Sequence, residues 1–324
     1  MIHAFIITGF LGSGKSTLLT DTVKKHFKDK NIAIIVNEFG EVGIDQTILK
    51  NVHSDVIQIS DGCICCQLSE EFESGVIEII NKFNPDIIFV ETAGITEPFP
   101  IFMSMQNLGL IVDGVICVVD AKNYASYMHN STAKYQVGGA NIIVLNKTDL
   151  TTQEELAQAK KDITVIKEEF NIKSNFTGKT VFNNYFLHTI ERGILNKEVF
   201  EGVYQVEEIV GLAKEYHHTD HITNDSIIQK IAKINREVCF NEVDSLLNNL
   251  PRNIYRAKGI IKMQDVLKPL VVNYSFGNVT FEELDQFEED SIFVFIGEDI
   301  DKDVIELAKK FDYLNVFAHE HHHH

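Results

Sequence analysis

The stretch Ala4-Phe5-Ile6-Ile7-Thr8-Gly9-Phe10-Leu11-Gly12-Ser13-Gly14-Lys15-Ser16-Thr17 decides how the rest of the chain reads. An apolar run, residues 4–8, meets an octad of the form G-x-x-x-x-G-K-[ST], and an amphipathic segment, residues 15–27, follows. Strand, loop and helix in that order are the context the phosphate-binding motif requires. The glycines let the backbone wrap closely around a polyphosphate, and N–H groups at a helix N-terminus attract the anion. On this reading Gly9, Gly12, Ser13, Gly14, Lys15, Ser16 and Thr17 hold a nucleotide. Lys15 reaches the β- and γ-phosphates, and the Ser16 hydroxyl ligates Mg²⁺. The blander alternative is a glycine-rich turn between strand and helix.

Outward from this loop the same rhythm repeats. Apolar runs at 32–36, 56–59, 86–90, 114–119 and 141–145 alternate with helix-like stretches such as 70–83 and 153–170. Near-continuous Ile/Val runs suit parallel strands buried on both faces. The alternation predicts an α/β domain, doubly wound around a mostly parallel sheet, of the P-loop NTPase type. After about residue 171 the rhythm breaks. Segment 173–184 is polar, and His217-His218-Thr219-Asp220-His221 is a second break. Beyond lie a predicted helix at 240–249, strands at 254–263, 271–276 and 291–296, and a last helix at 301–311, which together read as a smaller α+β domain. The expected division is 1–210, 211–318 and a tag remnant at 319–324 that includes His321 to His324.

Two further polar clusters end apolar runs, where ligands bind in such folds. Asn146-Lys147-Thr148-Asp149 places a carboxylate where guanine N1–H and N2–H₂ can both donate to it. Adenine offers no such pair of donors, so the pattern selects GTP and GDP. Alone, the tetrapeptide is also a good turn or helix start. Glu91-Thr92-Ala93-Gly94 is similar to the second metal-phosphate element of P-loop NTPases. Glu91 would hold Mg²⁺, and the Gly94 N–H would face the γ-phosphate. The alternative is an ordinary strand-capping Glu.

Gly62-Cys63-Ile64-Cys65-Cys66 puts three thiols within four positions. Thiolates so spaced suit a soft metal such as Zn²⁺. Buried structural thiols, a redox pair and a chance cluster compete with that reading, although a vicinal Cys65–Cys66 disulfide would be strained. Cys117 and Cys239 lie in apolar surroundings and read as core. Asn37-Glu38-Phe39-Gly40-Glu41 falls where a GTPase switch is expected, with Glu38 or Glu41 sensing Mg²⁺ or a second metal; the alternative is an acidic solvated turn.

Taken together, segments 9–17, 37–45, 62–66, 91–94 and 146–149, with Arg256-Ala257-Lys258-Gly259 in the second domain, resemble the CobW-type metallochaperone GTPases. The resemblance covers nearly the whole chain, and the Gly-Cys-x-Cys-Cys element is its specific part. It implies a SIMIBI-type GTPase fold with an appended CobW C-terminal domain. It also implies a Mg²⁺-dependent GTPase that carries a transition metal, often Zn²⁺ and in some branches Co²⁺ or Fe, to a client metalloprotein. Catalytic roles then fall on Lys15, Ser16, Glu38 and Glu91; of the metal ligands proposed in the family only Glu41 and Cys65 are matched, and Cys63, Cys65, Cys66 and Glu41 form the candidate metal set. Nucleotide- or metal-dependent homodimers are compatible with it. The sequence departs from the pattern at Val36, where some members are acidic, and at Asn123, where some have His. His217, His218 and His221 only hint at the long His-rich loop of many members, and an exposed polar linker reads equally well.

Composition narrows the classes. The chain has 324 residues, with 47 Asp plus Glu against 29 Lys plus Arg, a formal net charge of −18. Such an acidic surface repels phosphate backbones, which argues against nucleic-acid partners. No apolar run reaches the ~18 residues of a membrane span. Met1-Ile2-His3-Ala4 leads straight into a strand without a basic region, so no secretion signal is expected. Five Cys, three of them crowded, form no disulfide framework and suit a reduced cytoplasm. Two other classes stay open: a thiol redox sensor on a nucleotide-binding scaffold, and a P-loop kinase or ATPase, which would have no use for Asp149. Within the leading class, cobalt handling in cobalamin biosynthesis is the alternative to zinc.

Overall fold

A run such as Ile32-Ala33-Ile34-Ile35-Val36 has no polar face, so a strand made from it must be covered on both sides. In the computed structural model these runs are β1 (His3–Thr8), β2 (Ile32–Asn37), β3 (Val56–Ile59), β4 (Ile87–Glu91), β5 (Ile111–Asp120) and β6 (Ile142–Asn146), joined by β7 (Phe186–Thr189). The structure describes residues 2–37, 56–59, 68–92, 94, 97–173, 185–190, 193–200, 206–214 and 227–316. The seven strands form one sheet in the order β3-β2-β4-β1-β5-β6-β7, every neighbouring pair parallel. This is the P-loop NTPase arrangement that the sequence predicts.

Helices α1 (Lys15–His26), α2 (Leu68–Phe83), α3 (Phe99–Asn107), α4 (Ser131–Gly138) and α5 (Gln153–Glu169) supply the two covers. Ala4, Ile6, Ile88, Val90 and Val119 pack in one core with residues of α2 to α5, among them Val76, Phe102, Val137 and Ile163. On the other face Phe5 stacks on Phe89 and Phe27, at the end of α1, meets Phe89 edge-on. The Leu195 N–H donates to Thr22 Oγ1 of α1 (2.9 Å). From β1 the chain winds first to one side (β2, β3, back to β4) and then to the other (β5 to β7). The C-terminal ends of β1, β4 and β5 therefore flank the switch point, where ligands bind in open α/β sheets.

Lys167 is fully buried in α5, and its Nζ donates to the Gly138 carbonyl at the end of α4 (2.7 Å) and to Asn171 Oδ1 (3.1 Å). Burial pushes its amine down to about 7, against a smaller opposing effect of Cys117. Below that pH the amine is charged in folded and unfolded chains alike. Between about 7 and the 10.5 of an ordinary lysine, the unfolded chain holds a proton that the folded one lacks, so stability rises with pH. Lys167→Met is thus expected to fall further below wild type at pH 9 than at pH 7, by denaturant midpoints. A constant difference removes the buried amine from the account.

The chain divides into two compact units, Met1–Val199 and Phe200–His324. In the second, α6 (Val206–Lys214), β8 (Ile227–Ile234), α7 (Phe240–Asn248), β9 (Ile254–Ile261), β10 (Leu270–Ser275), β11 (Asn278–Glu283), β12 (Ile292–Glu298), α8 (Asp301–Lys310) and β13 (Leu314–Val316) follow in turn. Their sheet, β11-β10-β9-β12-β8-β13, is antiparallel throughout. One face, with Ala257, Val272, Phe293 and Phe295, packs on Val243 and Leu246 of α7 and Val304 and Leu307 of α8. This is the expected α+β unit. The structural division falls somewhat before residue 210, because α6 belongs to the second unit: Lys233 Nζ of β8 donates to the Ala213 carbonyl (3.0 Å). Cys117 is buried as expected, whereas Cys239 is half-buried and heads α7. Among the described residues, no helix is long and apolar enough to cross a membrane.

Candidate nucleotide site

The loop after β1 is built around backbone that only glycine allows. At Gly9, φ is +151° and a Cβ would lie 2.4 Å from the Val118 carbonyl oxygen of β5. At Gly14, φ is +92° and a Cβ would lie 2.7 Å from Asn146 Nδ2. The Ser13 N–H donates to the Phe10 carbonyl (3.1 Å), closing the turn, and the Leu18 N–H donates to the Gly14 carbonyl (3.0 Å), opening α1. Thr17 is exposed in the first turn of α1. Lys15 is only 9% exposed although it carries a charge.

Ser16 Oγ donates to Glu91 Oε1, joining the start of α1 to the end of β4. Two hard oxygen donors side by side fit Mg²⁺. The fit to a polyphosphate has a second sign. Ser13 Oγ, Thr8 Oγ1 and Thr92 Oγ1 are buried and find no hydrogen-bond partner among the described residues. Buried hydroxyls left unpaired cost about 1–3 kcal/mol each, and three of them, two at the ends of β1 and β4 and one in the loop before α1, mark a place where a polar ligand belongs. The Thr92 N–H donates to the Ile7 carbonyl (2.9 Å), so β4 stays zipped to β1 up to this point. Gly94 lies two residues further on. A Cβ there would lie 2.9 Å from Leu11 N, so its backbone rests directly on the phosphate-binding loop. Gln136 Nε2 donates to the Gly94 carbonyl (3.0 Å).

From β6, Asn146 Nδ2 donates to the Ser13 carbonyl (3.0 Å), while its Oδ1 accepts the Lys147 N–H (2.9 Å). Lys147 takes a left-handed conformation, φ +62°. Its Nζ donates to the Gly12 carbonyl (2.9 Å) and to Asp120 Oδ2 (2.8 Å). The two residues thus grip the phosphate-binding loop itself. Asp149 is exposed in a single 3₁₀ turn, Thr148–Leu150, which Thr148 anchors through its Oγ1 to the Ile190 carbonyl (2.9 Å).

Sequence reasoning missed two residues here. Asp120, the last residue of β5, takes the Lys122 and Asn123 N–H groups on Oδ1 (both 3.0 Å) and Lys147 on Oδ2. Burial opposes its charge, yet the hydrogen bonds from Lys147 and Asn123 prevail and hold the carboxyl below the usual carboxylate range. Its N–H donates to Tyr127 OH (3.0 Å), and the Tyr127 ring stacks on Phe10 (4.8 Å between centroids). Gln136 is the other. The available signal was positional: Asp120 ends a buried strand just as Glu91 and Asn146 do. Glu38, Glu41, Cys63, Cys65, Cys66, His217, His218 and His221 lie outside the described residues. Among the described residues, no group of three or more His, Cys, Asp or Glu is placed to hold a metal.

Comparison with known proteins gives two family matches. Residues 3–173 match the CobW/HypB/UreG nucleotide-binding domain, and residues 231–311 match the cobalamin synthesis protein cobW C-terminal domain. Among individual relatives, the zinc chaperone YjiA of Escherichia coli is 36% identical over 165 residues, covering 48% of this chain and 52% of that protein. The zinc chaperone CobW of Sinorhizobium is 31% identical over 196 residues, covering 50% of this chain and 55% of that protein. The chain spans about half the length of the curated relatives it matches. The solved Zn(II)-bound YjiA GTPase of Escherichia coli aligns with 97% of this chain and 99% of its own, at 22% identity and a TM-score of 0.43.

Proposed function

The chain belongs to the CobW family, and we propose that it hydrolyses GTP and uses the cycle to carry a transition metal, zinc first, to a client metalloprotein. One observation carries the GTPase half: Ser13, Ser16, Glu91, Gly94, Asn146 and Lys147, from three separate segments, meet at one loop. Glycine-lined N–H groups and Lys15 would hold the phosphates, and Asp149 would accept the guanine N–H groups. Ser16 and Glu91 would hold Mg²⁺, which when bound neutralises charge on the β- and γ-phosphate oxygens. Glu38 would sense Mg²⁺, and the Gly94 N–H would face the γ-phosphate.

The metal half draws on the family and on chemistry. Cys63, Cys65, Cys66 and Glu41 form a thiolate and carboxylate set suited to Zn²⁺, with Co²⁺ as the alternative. The segment with Glu41 follows β2, and the cysteine loop follows β3, its neighbour in the sheet. A bound triphosphate that draws segment 37–45 inward would complete the metal site, and hydrolysis would loosen it. A client metalloprotein would receive the metal in a reduced cytoplasm, with the carrier working alone or as a homodimer. Linkage then requires GTP and metal to favour each other equally, by roughly 5–150-fold.

The test is GTP hydrolysis and Zn²⁺ binding with GTP analogue or GDP, for wild type and Cys65→Ser. Wild type should bind Zn²⁺ more tightly with the analogue and change its turnover when Zn²⁺ or Co²⁺ is added. Cys65→Ser should keep basal hydrolysis and lose both responses. Equal Zn²⁺ affinity in the two nucleotide states overturns the coupling.

A further inference from the structure

α4 is fixed at both ends. Its cap Asn130 accepts the Thr132 N–H (2.8 Å), and Lys167 Nζ holds the Gly138 carbonyl (2.7 Å). Ala133 and Val137 anchor it in the core. On this rigid post stands Gln136, a side chain only 1% exposed. An amide buried that deeply costs free energy unless it is hydrogen-bonded. It spends a donor on the Gly94 carbonyl (3.0 Å), in the segment that follows Glu91. From the other side Leu11 lies against Gly94, so the glycine is held between the phosphate-binding loop and α4. A glycine held by neither side would sample many backbone conformations.

We propose that Gln136 is a positioning residue of the nucleotide switch: by holding the Gly94 carbonyl it aims the Gly94 segment at the γ-phosphate and makes recognition of the triphosphate depend on α4. The inference rests on the GTPase reading above. A diphosphate has no γ-phosphate for Gly94 to meet, so Gln136 serves the GTP state and is indifferent to GDP. The side chain would act through the Gly94 carbonyl.

The experiment compares wild type, Gln136→Met and Gln136→Glu as full chains. Met keeps the length and loses the donor, and Glu keeps the shape but turns a carboxylate on the carbonyl. The readouts are kcat and KM for GTP, affinity for a non-hydrolysable GTP analogue, affinity for GDP, and thermal unfolding. Both variants are expected to lose about tenfold or more in kcat and in analogue affinity, with GDP affinity within about twofold of wild type. A role confined to packing would weaken both nucleotides alike and lower the melting temperature in step. That result overturns the proposal, as does unchanged kcat and analogue affinity in both variants. A wild-type chain that binds neither nucleotide removes the GTPase reading itself, and the proposal with it.

Discussion

Replacing Lys15 by Met is expected to cut kcat/KM for GTP by about three orders of magnitude and to leave the fold standing. Lys15 opens α1 and is 9% exposed. A lysine so placed, directly after the glycine loop, suits a site where a dense negative charge arrives. Charge develops on the phosphate oxygens during transfer, so a fixed cation there counts for more in the transition state than in the ground state. The loss should therefore fall on kcat more than on KM, as read by phosphate release. Met matches the aliphatic stem and fills the same space, so core packing changes little. Thermal unfolding within a few degrees of wild type checks that part. A Lys15→Met chain that still hydrolyses GTP at the wild-type rate would move the phosphates away from this loop.

The fold was legible where burial on both faces writes a continuous apolar run. β1, β2, β4 and β6 coincide with their Ile/Val stretches to within a residue or so. β5 extends beyond its predicted core because Asp113 and Gly114 interrupt the apolar run without breaking the strand: Asp113 is buried against His3, and Gly114 leaves room for Phe5 and Ile142. Other elements left no such trace. β7 is a half-buried edge strand of four residues, too short for a period to show. In β8, Ile227, Ile228, Ile231 and Ile234 fall at helix spacing, yet the segment is a strand lying between β12 and β13. Tertiary pairing overrides local pattern there. α4 is only eight residues long, too short for an apolar stripe to show.

At the site, motifs named the residues but not their partners. Asn146 and Lys147 were expected to serve the nucleotide, and their side chains bind the Ser13 and Gly12 carbonyls. Spacing along the chain cannot reveal a contact between β6 and a loop more than a hundred residues earlier. Asp120 and Gln136 are silent in the sequence for the same reason: neither belongs to a short motif, and each matters through a long-range hydrogen bond. The convergence is what makes the motif residues one site. Phe10 on Tyr127, Tyr127 OH on the Asp120 N–H, Asp120 on Lys147 and Lys147 on Gly12 close a ring around the phosphate-binding loop.

That ring separates two tasks, and Asp149→Asn should expose the separation. Asp149 stands outside it, exposed, on a turn anchored by Thr148. A carboxylate accepts from both guanine N1–H and N2–H₂; an amide offers one acceptor and one donor group. The variant is expected to lose GTP and GDP affinity by about 10³-fold or more, since a site made for a hydrogen-bond pair rejects a mismatch strongly. Xanthine carries a C2 carbonyl where guanine carries its amino group, so the amide introduced by Asp149→Asn can donate to it while accepting N1–H. Xanthosine triphosphate should therefore bind and turn over, although GTP does not. Phosphate handling is untouched because Lys147, Asn146 and the glycine loop are unchanged, so kcat with the xanthosine nucleotide should approach that of wild type with GTP. Competition binding of the two nucleotides reads the result directly. If Asp149→Asn binds GTP as wild type does, the base is held by another segment and the GTP assignment loses its specificity element.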